Sequence, residues 1–119
     1  MRQFILISAF MLASTATAFA GPQVGGEYKV KGTNFDGSAY SGTATITPAS
    51  NSTCRIVWKT GGTTSTGFCM RNDDSLAAAY KLGAAVGLVI YHIEDDGTLD
   101  GVWTIADKAG AGTEVLTPR

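Results

Sequence analysis

The sequence is short of the residues that carry most enzyme chemistry. It has one histidine, at position 92, and two cysteines, at 54 and 69. One imidazole supplies no zinc set, and without a C-x-x-C spacing there is no thiol redox motif. Charged residues make up only 16 % of the chain. Lys and Arg are scattered singly, so no basic patch suits a nucleic-acid backbone. A membrane-crossing helix needs about 20 consecutive apolar residues, and no run of that length is present, so no transmembrane segment is expected. Helical periodicity is nearly absent as well.

What is present begins with an export signal. Arg2 supplies a positive charge, Phe4 to Ala13 is apolar, and Ala18-Phe19-Ala20 precedes Gly21. Signal peptidase reads that order. Residues 1–20 are therefore expected to be a signal peptide, and 21–119 a single domain, periplasmic or secreted. No cysteine lies at the cleavage point, which argues against a lipid anchor. Removing Arg2 with the leader leaves eight Lys and Arg against ten Asp and Glu, a net charge near −2. A chain of that size can hold one modest core.

In the remainder, short alternations of apolar and polar residues recur between turn signals. They predict strands at about 26–32, 38–46, 53–59, 64–70, 75–81, 86–94, 98–105 and 113–117. Ser75–Leu82 is the one ambiguous stretch, because Ala77, Ala78 and Ala79 favour helix; Leu76, Ala78, Tyr80 and Leu82 nevertheless alternate, and eight residues is short for a helix. Strands at this spacing indicate an all-β, antiparallel, up-and-down meander, closed as a small barrel, with a two-sheet sandwich as the alternative.

The turns set the pairing. A three-residue loop at Phe35-Asp36-Gly37 places Tyr28, Val30, Tyr40, Ala44 and Ile46 on one face; a two-residue loop would mix the faces, which burial forbids. A loop at Asp95-Asp96-Gly97 likewise pairs Ile93 with Leu99, Tyr91 with Gly101 and Val89 with Trp103. The central turn, Gly61-Gly62, brings Cys54 opposite Cys69, with Ile56 facing Gly67 and Trp58 facing Ser65. Two cysteines equidistant from a turn, in an exported chain, predict a disulfide. A strict two-residue turn puts that pair at a hydrogen-bonded site, so a longer or bulged loop is the expectation there.

Catalytic candidates are few. His92 falls opposite Asp100 on the polar face, but no spacing supplies a nucleophile. Glu94, Asp95, Asp96 and Asp100 invite calcium, which wants six to eight oxygens and a defined loop; Asp-Gly in a hairpin turn has a sufficient reason in its dihedral angles. Two carboxylates across a cleft, as a glycosidase needs, have little room in so small a barrel. Asn51-Ser52-Thr53 matches a glycosylation sequon and reads as a turn. The chain is expected not to be an enzyme and to need no cofactor or metal.

The aromatic residues remain. Most fall on the inward faces, where Trp58, Tyr91 and Trp103 are candidates to line a cavity in the barrel mouth. Phe35, at a hairpin tip, and Phe68, opposite Arg55 on the outer face, do not fit the inward pattern and are expected to be exposed contacts for a partner.

The runs Gly26-x-Tyr28-x-Val30-x-Gly32-x-Asn34-x-Asp36-Gly37-Ser38-x-Tyr40-x-Gly42, Ile56-x-Trp58-x-x-Gly61-Gly62 and Asp96-Gly97-x-Leu99-x-Gly101-x-Trp103-Thr104 resemble a group of small secreted β-proteins of Gram-negative bacteria, largely uncharacterised, some labelled fibronectin-binding. The resemblance rests on structural glycines and core aromatics, and it implies a fold more than an activity. A more distant likeness to avidin-type barrels is one of fold and implies no biotin site. The functional expectation is a non-enzymatic exported binding module for a protein or matrix partner. The alternatives are a small-ligand carrier using the barrel interior and a secreted hydrolase inhibitor.

Overall fold

Two-faced strands must hide one side, and eight of them in sequence can do so by curling until the first meets the last. The computed structural model describes residues 21–119, and the signal-peptide expectation for 1–20 lies outside the described residues. The strands are β1 (Gly26–Thr33), β2 (Ala39–Pro48), β3 (Thr53–Thr60), β4 (Thr63–Asn72), β5 (Ser75–Leu82), β6 (Ala85–Ile93), β7 (Leu99–Ile105) and β8 (Gly112–Pro118). Each pairs antiparallel with the next, and β1 also pairs with β8, from Tyr28 opposite Pro118 to Thr33 opposite Thr113. That last pairing makes a closed barrel and removes the sandwich alternative.

The hairpin registers are those the turns predict. Tyr28 faces Ala44, Val30 faces Gly42 and Gly32 faces Tyr40; Tyr91 faces Gly101 and Val89 faces Trp103. Ser75–Leu82 is a strand, with Leu76 and Ala78 buried. β4 runs further than 64–70, because the tight Asp73-Asp74 turn lets Arg71 and Asn72 go on pairing with Leu76 and Ser75. The central loop is shorter than expected. Thr60 pairs with Thr63 around Gly61 and Gly62 alone, whose φ angles of 56° and 79° are the left-handed pair that a tight two-residue hairpin requires. Cys54 and Cys69 face each other across this hairpin and form the disulfide.

The core fills one half of the barrel. Tyr28, Ile46, Ile56, Leu76, Leu99 and Leu116 are all but inaccessible, and burial of each aliphatic side chain is worth about 1.5–3 kcal/mol. The disulfide lies in this half. So does the segment before β1, where Val24 packs on the core and the Gly25 amide donates to Tyr28 Oη at 2.9 Å. The opposite end, ringed by the β1–β2, β3–β4, β5–β6 and β7–β8 turns, is open.

Candidate functional site: an aromatic cup around a buried carboxylate

The open end holds a cavity of about 340 Å3, lined by Tyr40 on β2, Trp58 on β3, Tyr80 on β5, Trp103 on β7 and Glu114 on β8, with Ser65, Leu82, Val89 and Ile105 between them. Glycines make this space. Gly87 stands beside the Tyr80 ring and Gly112 beside the Trp103 indole, so close that a Cβ at either position would overlap the ring. The rings therefore lie against bare backbone and leave the centre open. Trp58 meets Tyr80 edge to face at 5.2 Å, and Tyr40 meets Trp103 at 6.3 Å.

Glu114 is the only buried charged residue among the described ones, at 6 % exposure. Its Oε1 accepts from Tyr40 Oη at 2.8 Å. Its Oε2 accepts from Trp58 Nε1 at 3.1 Å and from the Tyr91 hydroxyl. The indole N–H also reaches Tyr91 Oη, at 3.1 Å. Among the described residues no Lys, Arg or His lines the cavity. Burial raises the Glu114 carboxyl above its ordinary 4.5, although the hydrogen bonds from Tyr91, Tyr40 and Trp58 oppose that shift. Burial beside this carboxylate also holds Tyr40 and Tyr91 protonated far above neutrality, and pushes Tyr80 up to about 12.

A carboxyl whose folded pKa is raised favours the fold when protonated, so its contribution is complete below about 4.5 and is lost as pH rises through the raised value. Glu114→Gln can keep Trp58 and Tyr91 donating to its amide oxygen while its NH2 donates to Tyr40. The melting temperature of this variant relative to the parent is expected to climb as pH goes from 4 to 7. A difference between the two that stays flat with pH would mean that Glu114 does not titrate in that window.

The sequence-predicted residues distribute unevenly over this site. Trp58 and Trp103 line the cavity. Tyr91 lies beneath it, fully buried, and serves as a donor to Glu114 rather than as lining. Phe35 is not a free surface aromatic, which corrects the expectation for it. It is half-buried at the rim, stacked on Trp103 at 4.9 Å and 26°, and backed by Gly110. Phe68 is 63 % exposed on the outer wall. Around it β4, β6 and β7 also expose Met70, Leu88, Ile90 and Val102. β1 and β3 instead turn Glu27, Lys29, Lys31, Arg55 and Lys59 outward.

The other candidates resolve into local chemistry. His92 pairs in register with Asp100, but its nearest carboxylates are Asp74 at 3.5 Å and Glu94 at 3.9 Å. Among the described residues no group of three or more His, Cys, Asp or Glu side chains is placed to hold a metal ion. Asp36 and Asp96 belong to their turns. Asp36 Oδ1 accepts from the Ser38 amide and hydroxyl, and Asp96 Oδ1 accepts from the Thr98 amide. These bonds hold both carboxyls below the usual range.

To the expected lining the structure adds Tyr40, Tyr80 and the one charged member, Glu114. Its signal was alternation: Gly112, Glu114 and Leu116 share the inward phase of β8.

No family model and no curated protein matches the chain. Solved structures do. A redesigned β-barrel, mFAP1, bound to DFHBI, superposes with a TM-score of 0.68 at 23 % identity, over 78 % of this chain and 93 % of that one. Another redesigned barrel gives 0.69 at 18 % identity, over 80 % and 90 %. A barrel from the de novo design of a fluorescence-activating β-barrel gives 0.65 at 12 % identity, over 81 % and 94 %. At such identities the likeness is one of fold.

Proposed function

We propose that this protein is a non-enzymatic, exported binding protein that holds a small molecule in the aromatic cup. The observation that carries the reading is the open cavity of about 340 Å3 with four aromatic rings and one buried carboxylate on its wall. Sites for small molecules are concave, mostly apolar, and carry a few convergent polar groups. The redesigned barrel mFAP1, which has this shape and is bound to DFHBI, supports it by analogy of fold. The disulfide suits an oxidising compartment, which supports a periplasmic or secreted setting.

Titration with N-phenyl-1-naphthylamine, an uncharged fluorescent probe, tests this. Saturable emission at one site is expected, with quenching of tryptophan, since Trp58 and Trp103 are the only two in the chain and both line the cup. Ser65→Phe, which fills the cavity, should weaken binding at least about tenfold, whereas Phe68→Asp should leave it unchanged. Equal binding by parent and Ser65→Phe would move the probe out of the cup and sink the reading.

The protein-partner reading has its own support in the apolar outer wall around Phe68, since contiguous apolar surface on a soluble domain often marks a contact. It ranks second, because that wall, built of Phe68, Met70, Leu88 and Ile90, carries no convergent polar group, whereas the cup carries Glu114. The inhibitor reading has no observation of its own.

A further inference from the structure

We infer that the cup selects organic cations: small molecules with an ammonium group attached to an apolar or aromatic body. The inference rests on the reading of the cup as a ligand site and names what that site takes.

Three features converge. The first is a negative group with no positive one to answer it. Glu114 is buried, and each of its three hydrogen bonds comes from a neutral donor, Tyr40, Trp58 or Tyr91. Donors aimed at both oxygens suit the carboxylate form, which only accepts. A buried charge is costly without a counter-charge, and among the described residues no basic side chain lines the cavity. A cationic ligand would supply the missing charge. An anionic one would add repulsion at short range in a poorly screened site.

The second feature is the wall. Tyr40, Trp58, Tyr80 and Trp103 present aromatic rings to one small space, and ring quadrupoles attract ammonium groups, most strongly where water is excluded. The third is access. The cup opens through turns at one end, while the core and the disulfide occupy the other, so a ligand can reach Glu114 without unfolding the barrel.

The titratable groups packed around Glu114 are Tyr40 on β2, Tyr80 on β5 and Tyr91 on β6, all held protonated through neutral pH. Between pH 4 and 8 the charge of the cup is therefore the charge of Glu114 alone. Cation affinity should fall as pH drops through its raised pKa.

Calorimetry with benzyltrimethylammonium, its uncharged isostere neopentylbenzene, and phenylacetate tests the assignment. At pH 7.5 the cation is expected to bind the parent at least about tenfold more tightly than the isostere, and phenylacetate more weakly than either. In Glu114→Gln the preference for the cation should collapse to less than about threefold while the isostere still binds. Should that variant fold poorly, the parent alone decides, because cation affinity should weaken toward pH 4 while isostere affinity holds. Equal affinities for cation and isostere, or a preference untouched by both pH and Glu114→Gln, would overturn the cation assignment and leave the cup a ligand site. If none of the three probes binds, the cation assignment is overturned, and the cup reading falls with it only where N-phenyl-1-naphthylamine also fails to bind.

Discussion

Tyr91→Ala is expected to destabilise the barrel by about 3–5 kcal/mol, the range for deleting a fully buried aromatic side chain. The ring has no exposed surface and sits between the packed half and the cup, where Gly101 is so close that a Cβ there would meet it. Truncation opens a cavity and also removes a donor from Glu114. Tyr91→Phe separates the two effects. It keeps the packing and loses only the hydroxyl, so about 1–3 kcal/mol is expected for a buried polar group left short of a partner. It should also raise the Glu114 pKa further, moving the loss of stability to higher pH. Urea unfolding of the three proteins at pH 5 and pH 7.5 measures all of this. Equal costs for Tyr91→Phe and Tyr91→Ala would mean that the hydrogen bond outweighs the packing, contrary to the burial observed.

Removing the disulfide is the second large effect. The bond spans a sequence separation of 15, for which chain entropy gives about 3 kcal/mol. Against a total of about 5–15 kcal/mol for a small domain, that is a major share. At about 4–8 °C per kcal/mol for a domain of this size, the pair Cys54→Ala with Cys69→Ala should melt roughly 12–24 °C below the parent. Reductant should lower the parent's melting point similarly and leave the double variant alone. Because Cys54 and Cys69 are not among the residues lining the cup, the folded double variant should still bind N-phenyl-1-naphthylamine with the parent's affinity. A melting point indifferent to reductant would mean that the bond contributes nothing in solution.

The hairpins were readable in the sequence because two independent constraints met there. Phe35-Asp36-Gly37 and Asp95-Asp96-Gly97 each allow few loop lengths, and only one register keeps the apolar residues together; at Gly61-Gly62 the register was legible from the facing cysteines, while the length of the loop was not. Glu114 lacked the first constraint. Residues 106–111 form a longer connection with no tight-turn signature, so the sequence alone leaves open the phase of β8 and the side that Glu114 faces. The number of strands suggested closure, but the seam itself was beyond local reasoning. It joins residues far apart in the chain, as in the 2.7 Å bond between the Thr33 and Thr113 hydroxyls. Phe35 is half-buried rather than exposed for a related reason. A hairpin tip looks exposed until a distant loop, here at Gly110, is placed beside it. The expectation of a cup rests on Trp58, Tyr91 and Trp103, of which Tyr91 lies beneath it; its volume depends on how rings settle against glycine backbone, which alternation does not report.

The pairing of β1 with β8 has a consequence for how this protein behaves in a crowd. An open sheet ends in strands whose unpaired N–H and C=O groups can recruit a neighbouring chain, the usual beginning of edge-to-edge aggregation. A closed ring has no such rim. The apolar residues on the outside of β4 to β7 are therefore carried by backbone whose hydrogen bonds are already made, and other molecules can meet Phe68 or Ile90 only side chain to side chain. That distinction lets a greasy wall stay exposed without templating fibrils.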